Sequence, residues 1–198
     1  MRLLNAALRC CLLGGCLSFG TPLLADESQE CFVVPHAAIA IRANLPQQLW
    51  QPNEGALERI KSLHRVHEIS PGKDYVFVLR MRRFDPSRLD SEWFAKLTIN
   101  IGPALKLEQP LDLRSRRGFY LSGYESTIHH GFAAYADKFT GNIQFVKQSS
   151  VLRVKVDLQT TARSVREEAK REARVIATEC DVRELNVADL TPWEGGKQ

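Results

Sequence analysis

His64 and His67 stand three residues apart in a segment with helical spacing, and His129 and His130 are adjacent in a polar loop. Histidines at i, i+3 or i, i+4 share one helical face and can hold one zinc ion between them. No HExxH pattern accompanies them, and Glu68 is not at a ligand offset. They therefore read as a helix edge and a polar loop, with no metal and no cofactor expected. The run from Ser122 to Ser126, with Gly123 inside it and His129 close by, resembles a fragment of a hydrolase motif. A nucleophile elbow needs G-x-S-x-G between a strand and a helix, because the glycines permit the turn that exposes the serine. Here the second glycine is missing and β patterning follows, so no catalytic residue is assigned.

Arginine is the other residue type whose clustering matters. Arg80, Arg82, Arg83 and Arg88 form one group; Arg114, Arg116 and Arg117 form a second, with Tyr120 and Tyr124 a few residues on. Arg80 and Arg82 fall on the polar face of a strand, where forked guanidinium groups are suited to phosphate or carboxylate. Arg and Tyr are also enriched where binding energy concentrates. The competing reading is a solvated strand face paired with Asp85, Asp90 and Glu92, its charges guarding edge strands against aggregation. Walker, dinucleotide and heptad patterns are absent from the sequence.

The chain ends decide which compartment these residues meet. Arg2 and Arg9 precede an uncharged apolar run over 10–24, and Ala25 precedes Asp26 and Glu27. This is the pattern of a secretory signal peptide over 1–25, cleaved after Ala25. Cys16 closes a lipobox-like Leu13-Gly14-Gly15-Cys16, which gives a lipid-anchored alternative. Without the leader, 25 basic residues face 23 acidic ones, a net charge of +2. That small excess gives no case for nucleic acid. No later apolar run is long enough for a transmembrane segment. Three of the five cysteines go with the leader, leaving Cys31 and Cys180. In an oxidising compartment these two are expected to form a disulfide.

What positions all of these residues is a set of strands. Leu152, Val154, Val156 and Leu158 alternate with Arg153, Lys155, Asp157 and Gln159, the period of a strand with one buried face. A short polar turn joins it to a preceding strand from Phe139, so 139–161 reads as a hairpin. Alternation also marks a first strand within 31–42, strands over 75–82 and 93–101, shorter runs at 105–113 and 118–124, and a longer one at 131–139. Asn53 reads as the N-cap of a helix whose Leu57, Ile60, Leu63 and His67 share a face, stopped by Ser70-Pro71-Gly72. Ser164 and Glu167 make a capping box, with Val165, Ala169, Ala173 and Ile176 as a thin stripe, so a second helix is expected there. Failing that helix, 162–172 is the solvated tip of a long hairpin. Ile176, Thr178, Cys180 and Val182 then read as a return strand.

The expectation is a mainly β protein, an antiparallel sandwich or open barrel with one or two peripheral helices. One domain spans 26–190, and 191–198 is a loose tail. Export and the absence of a catalytic constellation point to a non-enzymatic binding module of a bacterial-type cell envelope, periplasmic or secreted. It would recognise a protein partner, in the manner of an inhibitor, or an anionic envelope component. An envelope assembly or structural protein is the alternative, and a metal-dependent or hydrolytic enzyme a further one.

Overall fold

Alternation is what the described chain consists of. A computed structural model describes residues 26–41, 67–84, 91–126, 132–136, 138–164 and 171–190. In chain order the strands are β1 (Asp26–Ile41), β2 (His67–Pro71), β3 (Asp74–Phe84), β4 (Ser91–Gly102) and β5 (Pro110–Asp112). They continue with β6 (Gly118–Ser126), β7 (Phe132–Ala136), β8 (Phe139–Gln148), β9 (Val151–Ser164) and β10 (Arg171–Glu184). A 3-10 turn at Val187–Asp189 follows. The protein is mainly β, one curled mixed sheet forming a half-barrel.

The strand order is β10-β1-β3-β4-β6-β7-β9-β8-β5, with β2 also on β1 and β10 also on β9. Neighbouring strands run antiparallel except β1 and β10, which pair in parallel over Cys31–Val33 and Val182–Glu184. One edge of β1 serves two partners. Its first half pairs β3 and its last residues pair β2, with a register shift between Val34 and Ala37. His36 adopts φ 51° in that bulge, and its carbonyl accepts the Gly72 N–H at 2.8 Å. A Cβ on Gly72 would lie 2.5 Å from the Ala37 carbonyl oxygen, so the link that carries β2 on into β3 needs glycine there.

The concave face holds the larger core. Phe77 and Leu79 meet Leu97 and Ile99 from β4 and Ile143 and Phe145 from β8. The Phe77 and Phe145 rings are edge to face, 5.6 Å apart, a geometry that adds about 1 kcal/mol to plain burial. A smaller core lies on the convex face, where Phe32, Val34, Val76 and Val78 are covered by Ile69 of β2 and by Leu190. The Leu185 N–H donates to the Val33 carbonyl at 3.0 Å and brings the chain end onto this face. β1 and β3 are thus buried on both sides, which is why they read as near-continuous apolar runs. Cys31 and Cys180 are both buried at disulfide distance, Cα to Cα 6.2 Å.

Several expectations change. Ala173 and Ile176 belong to β10, not to a helix, because Ile176 pairs Leu158 and buries against the concave core. β9 and β10 pair as a hairpin with Arg163 opposite Arg171 at its described end, so Ala162, Arg171 and Glu172 are laddered strand residues and not a solvated tip; residues 165–170 lie outside the described residues. His67 opens strand β2 rather than lying on a helix; the helix read from Asn53 to His64 and the loose tail at 191–198 lie outside the described residues, as does the leader. Within 105–113 only Pro110–Asp112 is strand, with a bridge at Leu107. The run over 131–139 divides between β7 and β8. Lys96 and Thr98, which alternate with the apolar residues of β4, are fully buried and are partnered. Among the described residues no helix is long and apolar enough to cross a membrane.

Candidate functional site

The register of the β8–β9–β10 sheet brings together cations that are far apart in sequence. Along β9, Leu158, Thr160 and Ala162 are buried, so Gln159, Thr161 and Arg163 face the other way. On β10, Ala173 pairs Thr161 and Val175 pairs Gln159, which places Arg171, Ala173 and Val175 on that same outer face. Thr140 of β8 pairs Gln159 and widens the surface by one strand. The Thr160 hydroxyl donates to the Lys138 carbonyl at 2.5 Å and fixes the chain just before β8.

The result is a groove of about 460 Å³. Lys138, Arg163 and Arg171 line it with Thr140 and Thr161; Thr160 and Arg174, register partners on the opposite face, border it, and no carboxylate lines it among the described residues. Arg163 and Arg171 are direct cross-strand partners. Like charges so placed oppose folding by a fraction of a kcal/mol, and an anion between them removes that cost while accepting hydrogen bonds from both forks. Arg163 and Arg174 also have partners within the chain. Chemically the groove offers charge-assisted donors and hydroxyls, which is recognition chemistry for carboxylate or phosphate groups.

A smaller recess of about 350 Å³ adjoins it, formed by Pro110, Asp112, Arg114, Gly141 and Asn142, and sharing Thr140. Its arginine is committed. Arg114 Nε lies 2.9 Å from Asp112 Oδ2, Nη2 lies 2.6 Å from the same oxygen, and the Arg114 N–H donates to Oδ1 at 3.0 Å. These bonds hold the Asp112 carboxyl below the usual carboxylate range. The rest of the second arginine cluster does not converge with it. Arg116 Nη1 donates to the Ile101 carbonyl at 2.8 Å and caps the end of β4. Arg117 is exposed, and its carbonyl accepts the Asn100 N–H at 3.0 Å. Tyr120 pairs Leu97 and Ala136 in the backbone register, and Tyr124 pairs Trp93 and Phe132; their side chains lie outside the described residues.

Arg80 serves the convex face. It is ion-paired to Glu30 of β1, and Arg183 of β10 approaches the same carboxylate at 3.8 Å. Both guanidinium groups lie near the Phe32 ring, 5.8 Å from its centroid for Arg80 and 4.9 Å for Arg183. Arg82 is exposed and has a partner of its own. Asp85, Arg88 and Asp90 lie outside the described residues, as do the side chains of Arg83 and Glu92. The half-buried Arg80 is therefore a strut between β1 and β3 more than a free recognition group.

Ser122 pairs Ala95 on one side and Ala134 on the other, in the middle of β6. A residue laddered on both edges of a regular strand does not sit on a strand-to-helix elbow. His64, His129 and His130 are outside the described residues, as is the His67 side chain. Among the described residues no three His, Cys, Asp or Glu side chains cluster as metal ligands. The groove residues Lys138, Arg163, Arg171 and Arg174 were missed in the sequence because a helix read from Ser164 hides the register that gathers them. No family model, no curated protein and no solved structure matches this chain.

Proposed function

We propose that the protein is an exported, non-enzymatic binding module of a bacterial-type cell envelope that recognises an acidic surface of a protein partner. The groove between Lys138, Arg163 and the β9–β10 hairpin carries this reading, because its described outer-face lining combines three cations and two hydroxyls with no carboxylate. Such a surface steers an acidic partner into contact and fixes its orientation. The leader-like 1–25 segment and the Cys31–Cys180 pair support placement in an oxidising compartment.

The test uses the exported protein and its Lys138→Glu/Arg163→Glu variant as parallel baits in envelope extract. Both positions lie outside the two cores, so the far-UV spectrum and Tm should be retained. The expected result is a protein held by the wild type, released by added salt and not captured by the variant. Equal capture by both baits refutes the assignment of the groove.

A further inference from the structure

We infer that the protein forms a two-fold dimer by antiparallel pairing of its β10 edges about Val175. β10 has one edge on β9 from Arg171 to Asp181. Its other edge meets β1 in a ladder only at Val182–Glu184. Just before that ladder the Gln29 side chain closes the gap, donating from Nε2 to the Glu179 carbonyl at 3.3 Å and accepting from the Thr178 hydroxyl. From Arg171 to Ala177 the edge carries no partner strand among the described residues.

The Gln29 contact also reports the phase of the strand. The Glu179 carbonyl points away from β9, and in an antiparallel ladder backbone groups alternate between the two edges. No register shift interrupts the β9–β10 ladder. The N–H and C=O groups of Arg171, Ala173, Val175 and Ala177 therefore all face the open edge. A row of such groups is a template for another strand unless it is covered, kinked or interrupted by proline. This stretch has no proline and no bulge.

The side chains say which strand fits. The outer-face row reads Arg171, Ala173, Val175, Ala177, Glu179, with Val175 exposed at 68%. Antiparallel pairing with a second copy about Val175 sets valine against valine, alanine against alanine and Arg171 against Glu179 of the other copy. The row is its own complement. A two-fold at Ala173 would set Arg171 against Val175, and one at Ala177 would run past Gln29 into the β1 ladder; at Val175 the backbone bonds span Ala173–Ala177, and Arg171 meets Glu179 through side chains beside Gln29. Glu179 already meets Arg153 at 3.2 Å in its own chain, so the rim charge pair sets the register while backbone bonds and the apolar centre carry the affinity. The interface is isologous, the commonest form for a soluble homodimer.

Sedimentation and cysteine trapping on the full chain, with Cys10, Cys11 and Cys16 replaced by serine throughout, test this. The wild type should sediment as a dimer that dissociates on dilution. Val175→Lys places a charge against its own copy, and it should raise the dissociation constant at least about tenfold with the far-UV spectrum unchanged. Val175→Cys should give a covalent dimer on mild oxidation, since directly paired residues lie about 5.5 Å apart at Cα, within disulfide reach. Ala173→Cys alone should not crosslink, whereas an equal mixture of Ala173→Cys and Ala177→Cys chains should. A monomer at every concentration overturns the proposal. So does a dimer indifferent to Val175→Lys, or crosslinking by Ala173→Cys as efficient as by Val175→Cys; either would mean that another segment or another surface covers this edge.

Discussion

Removing the Cys31–Cys180 bridge is the sharpest probe of how this sheet is held. The two cysteines are 149 residues apart in sequence. Closing a loop of that length lowers the entropy of the unfolded chain by about 17 cal/mol/K in the chain-entropy model, or about 5 kcal/mol at 25 °C. A typical urea dependence of about 2 kcal/mol/M for a protein of this size turns this into a midpoint lowered by about 2.5 M. The Cys31→Ala/Cys180→Ala variant should lose slightly more, because two buried sulfurs leave small voids. The assay is urea unfolding followed by far-UV circular dichroism on oxidised wild type, reduced wild type and the variant. The first should stand apart and the other two should nearly coincide. The bridge also sits where β1 and β10 share only three register pairs, so amide exchange at Cys31–Val33 should accelerate more than at Leu97 or Ile99. A midpoint shift below about 0.5 M would refute the loop-closure reasoning. Uniform acceleration of exchange would refute the idea that the bridge guards that seam.

Two other perturbations follow from local geometry. Gly141 has φ +109°, and a Cβ there would run into the Asp157 carbonyl oxygen. Gly141→Ala should therefore cost about 2 kcal/mol or more and lower Tm by about 4–8 °C, read by calorimetry; an unchanged Tm would contradict so close an approach of β8 to β9. Asp112 titrates low because Arg114 bonds its charged form, so the support this pair lends to folding is present above the ordinary carboxylate range. It is lost as pH falls through the lower folded value. In Arg114→Ala the Asp112 midpoint should move up, followed by the NMR shift of its carboxyl carbon, and an unmoved midpoint would assign the shift to another cause.

How much of this was legible in the sequence follows from what each residue had to satisfy. Leu152 to Leu158 read correctly because an apolar period of two has one physical meaning once both neighbours are strands; Tyr75 to Met81 is a strand, but Val76 and Val78 are as buried as Phe77 and Leu79. The stripe over Val165, Ala169, Ala173 and Ile176 fits a helix equally well by spacing. Ile176 is drawn instead into the strand period with Thr178 and Cys180, since only there does it reach Leu158 and the concave core. Lys96 and Thr98 carried the signature of a wet face, yet both are buried; pattern alone does not record that a strand face is covered from outside. Cys31 and Cys180 were paired by elimination. The arginines were visible as clusters, but clustering in sequence was the wrong measure. Arg114 and Arg116 are neighbours in the chain and serve different bonds. Arg163 and Arg171 become neighbours only through a register that single-chain periodicity does not reveal.

The parallel seam between β1 and β10 has a consequence for assembly in time. The first strand of the sheet finds one of its neighbours in the last, and the disulfide partner of Cys31 is also in that final strand. Any machinery that delivers this polypeptide from its amino end must release nearly all of it before the half-barrel is complete. Until then the Phe32–Val34 edge waits with its backbone donors and acceptors turned to solvent. Native contacts of such long sequence separation make folding slow, in the millisecond-to-second class. A chain that stays open until its last strand arrives is well matched to delivery in an extended form, and it is exposed throughout that interval to pairing with the wrong strand.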